Sequence, residues 1–332
     1  MRNWRARFKD QGLRVRDRAA RLRERHVRSG PWLGFDLAAT LGVLLLVAAG
    51  CGNPGQIDGD LTNDWTAMAP ATGFEPLAET CHLANFAAAG PRATYEEVDC
   101  TVRHRTETVF VGAYTGTAAD AEQPPPETSA GARAAYATCD QKTSAYVGGP
   151  WRTARLWIGV THPSPAAWTG GARWFRCEVL ELDSIEDNGA LVERQGSLRG
   201  VLTAGSDLEL TCYAIKLGPG GAIDTMPPAG CGEKHNAEFA GVWDAPADAS
   251  YPKGDTAWEE FHDGCRTVVA RYTGVPDDKN LEFRTGVVSL PGNADVWSQG
   301  DRGVRCYLWL DGAELTTSLR GKGITALPVQ YK

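Results

Sequence analysis

"GDRGVRCYLWLDGAELTTSLRG", Gly300–Gly321, has a shorter counterpart in "GARWFRCEVLEL", Gly171–Leu182, which is followed by "GSLRG" at Gly196–Gly200. Arg-Cys, an apolar run of strand character and Ser-Leu-Arg-Gly thus occur twice, with the two Arg-Cys pairs 129 residues apart. Self-similarity on that scale is settled first, because a repeated unit changes every later assignment of the fold.

The cysteines keep the same register. Cys81, Cys100, Cys139 and Cys177 are spaced by 19, 39 and 38 residues; Cys212, Cys231, Cys265 and Cys306 by 19, 34 and 41. Residues between them agree. His104 and His235 stand four after the second cysteine, and Glu107 and Glu238 three further on. Tyr146 and Tyr272 follow the third cysteine by seven, and Trp168 and Trp297 precede the fourth by nine. The chain therefore reads as two tandem copies of one domain, 77–200 and 206–325. Eight cysteines, an even set, suit disulfides in an oxidising compartment. The reading pairs first with second and third with fourth in each copy, although four cysteines admit three pairings.

Each copy reads as α+β: a small, mainly antiparallel sheet packed with one main helix, held by disulfides. "TETVFVGAY" and "AEFAGVW" are β-branched or aromatic enough for strands. Thr256 and Glu259 match a capping box, which predicts a helix from Thr256 with Trp258, Phe261, Cys265, Val268 and Tyr272 at helical spacing. The equivalent stripe in the first copy is Ala132, Ala135, Cys139 and Tyr146, interrupted by Lys142. "EQPPPE" at 122–127 and "GPGGAIDTMPPAG" at 218–230 read as surface loops.

Apolar residues at 42% and charged residues at 23% fit a globular protein with real cores. The net charge of −7 hides an asymmetry. Residues 1–30 hold 11 Arg or Lys against Asp10, Asp17 and Glu24, whereas from Cys51 onward 23 bases face 37 acids. An acidic body argues against a nucleic-acid partner.

After the basic arm comes "LAATLGVLLLVAAGC", too short for the roughly 20 residues of a comfortable membrane span but suited to a signal-peptide core. Ala48, Ala49 and Gly50 before Cys51 look like a bacterial lipobox, which makes Cys51 the lipidated N-terminus of a membrane-anchored lipoprotein. The alternative is an uncleaved single anchor helix from about Pro31 to Gly52. Both readings put the body on the extracytoplasmic face of the cell membrane. The organisation expected is 1–50 arm and signal segment, 51–76 flexible tether, then the two copies.

The second copy resembles the septum-formation domain of actinobacterial extracytoplasmic proteins, through "CGEKHNAEFAGVW", "YPKGDTAWEEFHDGC", "ARYTG", "WSQGDRGVRCYLWLDG" and "TTSLRG". The first copy matches through "CTVRHRTETVFVGAY", "CDQKTSAYVG", "WTGGARWFRC" and "GSLRG". Arg103 and Lys234 stand where the family usually has Pro before the histidine. The family's Tyr-Pro-Thr-Glu-Glu-Ser-Trp stretch survives only as "HPSPAAW" and "LPGNADVW". The resemblance implies a role in the cell envelope or in division, and brings no reaction with it.

His104 and His235 are the best site candidates, with Trp168 and Trp297 as possible binding residues. A zinc site needs thiolates, which paired cysteines do not offer, so no metal is expected. A histidine general base assisted by Glu107 or Glu238 has no nucleophile motif beside it. The bland alternative is a histidine bonded to loop backbone, a tryptophan packed at a helix end, and Arg199 and Arg320 at solvated strand ends. No catalytic residue and no cofactor is assigned. The reading is a non-catalytic binding or scaffold module whose partner is a division protein or a cell-wall polymer. The rivals are a wall-modifying hydrolase using His104 or His235, and a ligand-sensing module on a single anchor.

Overall fold

The computed structural model describes residues 73–90, 96–185, 189–203 and 205–330. The readings of the basic arm, the apolar segment, Cys51 and most of the tether fall outside the described residues. Among the described residues no helix is long and apolar enough to cross a membrane.

The fold is α+β with two antiparallel five-stranded sheets. The first is built from β1 (Thr80–His82), β2 (Glu97–Val98), β3 (Thr106–Ala113), β4 (Leu156–Thr161) and β5 (Trp174–Glu181), in the order β2-β1-β3-β5-β4. The second uses β6 (Cys212–Tyr213), β7 (Pro228–Ala229), β8 (Ala237–Asp244), β9 (Gly286–Pro291) and β10 (Gly303–Trp309), in the order β7-β6-β8-β10-β9. The correspondence extends to irregularities. The β3–β5 register slips between Thr108 and Phe110, and the β8–β10 register slips between Phe239 and Gly241, each just before a partner cysteine.

One long helix covers each sheet: α1 (Ala130–Val147), then, after the short α2 (Pro165–Thr169), α3 (Asp255–Thr273); α4 (Ala294–Ser298) is the short partner of α2. The buried stripe of α3 is Phe261, Cys265, Val268, Val269, Ala270 and Thr273. That of α1 is Ala135, Tyr136, Cys139, Thr143 and Val147. Lys142 stays exposed and lays its ammonium over the Phe110 ring. Both helices end on a left-handed glycine, Gly148 at φ 85° and Gly274 at φ 77°, where a side chain would be strained. The capping box does not form. Gly254, at φ 74°, caps α3, so the helix starts at Asp255, whose carboxylate favours the positive end of the helix dipole, and Thr256 is already inside the first turn.

The disulfides are Cys81–Cys100, Cys139–Cys177, Cys212–Cys231 and Cys265–Cys306. In each half one bridge ties the strand beside the edge, β1 or β6, to the turn after the edge strand, and the other ties the long helix to an interior strand, β5 or β10. Because side chains alternate along a strand, Cys177 and Cys306 face their helices while Arg176, Glu178, Arg305 and Tyr307 face the other side. That other side is also covered. In the first half the chain near Phe86 lies over it, with Thr161 Oγ1 donating to the Ala87 carbonyl. In the second half the cover comes from 218–230, expected as a plain loop. Ile223–Thr225 pairs with Lys216–Leu217, Met226 is 2% exposed, and Pro228–Ala229 forms the edge strand, the one place in a sheet where proline fits.

The halves meet along a polar seam. Arg152 and Asp301 are both buried and form an ion pair through two guanidinium nitrogens, Asp140 takes the third, and Arg305 donates to the carbonyls of Arg152 and Leu156 at 2.9 and 3.2 Å. Gly303 N–H donates to the same Asp301 oxygen, Oδ1, at 3.0 Å.

Loop-closure entropy sets the expected contribution of each bridge. Replacing Cys265 and Cys306 together by alanine should lower unfolding free energy by about 4 kcal/mol, against about 3 kcal/mol for Cys212 with Cys231. Urea unfolding of the two double variants checks the order; equal midpoints with the parent chain would contradict it.

Candidate functional site

Glu107 and Glu238 sit on β3 and β8 with no exposure to solvent. A buried carboxylate is costly unless its lone pairs are filled. Both are filled by the same set of donors. Glu107 accepts from the Tyr146 hydroxyl at 2.6 Å, from the Ser197 hydroxyl and from Leu198 N–H at 2.7 Å. Glu238 accepts from the Tyr272 hydroxyl at 2.6 Å, the Ser318 hydroxyl at 2.8 Å and Leu319 N–H at 2.8 Å. The twice-written Ser-Leu-Arg-Gly is therefore a turn that wraps a buried carboxylate. Its arginines lie in these turns and not at strand ends: Arg199 stacks 4.7 Å over the Tyr146 ring and Arg320 4.9 Å over Tyr272. Burial first, then the hydrogen bond to Glu107, pushes the Tyr146 hydroxyl up to about 12, and Tyr272 shifts in the same direction. Both phenols thus remain donors.

His104 and His235 close the inner side of these groups. His104 Nδ1–H donates to the Val102 carbonyl at 2.9 Å and His235 Nδ1–H to the Glu233 carbonyl at 2.8 Å. Their other nitrogens differ. His235 Nε2 is 3.3 Å from Glu238 Oε1, whereas His104 Nε2 is buried with no hydrogen-bond partner among the described residues. Cys81, His104 and Glu107 converge within 4.8 Å, as do Cys212, His235 and Glu238. Each sulfur is in a disulfide and each carboxylate already holds three donors, so the set offers little to a metal ion. The histidines are 1% and 3% exposed, so neither ring lies open to solvent.

Trp168 and Trp297 are buried at the ends of α2 and α4. Their indole N–H groups donate to the Ala121 and Ala249 carbonyls, and Arg173 and Arg302 cover a ring face of each at 4.2 and 4.7 Å. They pack the helix ends and do not form an open platform.

Sequence reasoning missed a polar chain confined to the first half. His82 Nε2 meets Thr108 Oγ1 at 2.9 Å, Thr108 donates to Glu178 Oε1 at 2.9 Å, and Arg176 pairs with the same oxygen at 2.8 Å. Tyr213, Phe239 and Tyr307 occupy the matching strand positions in the second half and pack edge to face, with ring centroids 5.4 Å apart. Burial, reinforced by the charge of Arg176, lowers the His82 imidazole from 6.5 to about 4. Burial pushes the Glu178 carboxyl upward, with Arg176 and Thr108 working against it.

Fold and site together define a disulfide-bonded α+β protein with its matched histidine and glutamate groups turned inward. The chain belongs to the septum formation family, whose model matches residues 78–306 as one span. No curated protein and no solved structure matches it.

Glu238→Ala should cost about 3 kcal/mol, because three hydrogen bonds to one carboxylate are lost and the buried Leu319 N–H keeps no acceptor. Tyr272→Phe should cost about 1.5 kcal/mol. Urea midpoints of the two variants read both values, and unshifted midpoints would remove the carboxylate from its structural role. His82 carries a second expectation. Its folded value lies below its unfolded one, so between pH 6.5 and about 4 the unfolded chain binds the extra proton and stability falls as pH falls, by about 3 kcal/mol in full. Glu178 acts in the opposite sense. Denaturation curves across that window should flatten in His82→Gln; an unchanged slope would mean that His82 is not the group responsible.

Proposed function

We propose that this chain is a membrane-tethered, extracytoplasmic, non-catalytic binding or scaffold lipoprotein of the cell envelope that acts in septum formation. Membership of the septum formation family supports the division role. The single observation that carries the non-catalytic reading is the enclosure of both histidine–glutamate groups, whose carboxylates are each committed to donors of the fold. Four disulfides suit an oxidising compartment. Cys51 behind its small residues is the proposed lipid attachment point, and residues 51–76 the tether. The two tandem copies, 77–200 and 206–325, belong to the same proposal. Their support is the shared strand order, the matched register slips and the matched wrapping of Glu107 and Glu238. Partners of such a module are division proteins or a cell-wall polymer.

The test is live-cell localisation of a C-terminal fusion to a fluorescent protein that matures after export. Enrichment at the septum in step with division is expected, and a Cys51→Ala variant should leave the membrane fraction. An even envelope signal in dividing cells would overturn the septal role; unchanged membrane retention of Cys51→Ala would overturn the lipid anchor.

A further inference from the structure

Beside the seam lies a cavity of about 170 Å³ walled by both halves. Four aromatic side chains, Phe86, Tyr114, Tyr136 and Trp157, line it beside aliphatic ones such as Val160 and Val296, with Phe86 and Trp157 edge to face at 4.8 Å. Tyr114 and Tyr136 are buried, and burial raises both hydroxyls, so the wall stays uncharged. Two exposed carboxylates stand at its rim, Glu127 from the first half and Asp295 from the second. Gln299 on the second half donates to Glu127 at 2.9 Å and fixes that side of the rim. Among the described residues no lysine or arginine lines the cavity, and His162 is the one described lining side chain able to carry positive charge.

Size and charge select the ligand class. A dry cavity of roughly 150 Å³ accepts a benzene-sized molecule, so this one takes a group of about six or seven heavy atoms. Aromatic faces attract cations through the ring quadrupole, and aromatic cages are a recurrent solution for quaternary ammonium groups. Carboxylates of both halves at the rim add attraction for the same sign of charge. We propose that this cavity binds a small quaternary ammonium solute, with the cationic head against the rings and beneath Glu127 and Asp295. The site deepens the binding-module reading and rests on it for its use in the cell, while its chemistry stands on the cavity alone.

The test uses the full chain in an uncharged detergent, titrated calorimetrically with choline and with its neutral isostere 3,3-dimethylbutan-1-ol. Choline should bind one to one and at least tenfold more tightly than the isostere. The double variant Glu127→Gln, Asp295→Asn should lose at least fivefold in choline affinity with the isostere unaffected. Ala132→Phe, which fills the cavity from α1, should abolish both. Equal affinity for the two ligands, or no choline binding at 10-millimolar scale by a chain with unshifted melting temperature, would overturn the proposal. Failure of septal localisation would leave these titrations unchanged, so the two ideas fail separately.

Discussion

A carboxylate without solvent must be given a full set of donors, and that requirement organises each half of this molecule. Glu107 and Glu238 sit on the central part of their sheets, and the donors come from far away in sequence: a tyrosine near the end of the long helix, and the serine hydroxyl and following backbone N–H of a late turn. Helix, sheet and C-terminal turn can therefore satisfy the group only when all three are in place. The helix-to-strand disulfide then holds two of the three partners together. A low-dielectric surrounding strengthens such a network when it is complete and penalises it when one member is missing.

Around that shared arrangement the halves diverge where the sheet turns its other face. The first half buries His82, Thr108 and Glu178, and the arginine at the end of that row, Arg176, pairs within its own half. The second half fills the same positions with three rings, which need no internal cation. Arg305 is accordingly directed out across the seam to the backbone of Arg152 and Leu156. One substitution pattern, polar for aromatic, thus changes an internal ion pair into a contact between halves.

Much of this was legible in the sequence. Cysteine spacing and the recurrent His, Glu, Tyr and Trp positions express the matched elements, because covalent bridges and buried polar groups tolerate few alternatives. The Ser-Leu-Arg-Gly turn was visible as a repeated string, yet its arginine drew the eye while the serine hydroxyl and leucine N–H make the bonds. A backbone donor leaves no trace in residue identity. The Thr256 capping box failed for a related reason, since Gly254 provides a backbone turn that the local string does not advertise. The segment at 218–230 has loop composition, but Met226 and an edge strand bind it to the sheet. The seam and its cavity draw on residues from Phe86 to Gln299, and no local pattern joins positions so distant.

None of the four bridges crosses the seam: each closes within its own half. Mechanical load on the chain would meet two kinds of connection. The loops shut by disulfides cannot lengthen, whereas the stretch from Cys177 to Cys212 is unbridged and, drawn straight, spans on the order of 120 Å. Tension would part the Arg152–Asp301 contact and draw out this stretch, while the sulfur-locked segments of each half keep their length. Four closed loops therefore keep their length under load, while the unbridged stretches 100–139, 177–212 and 231–265 between them can be drawn out.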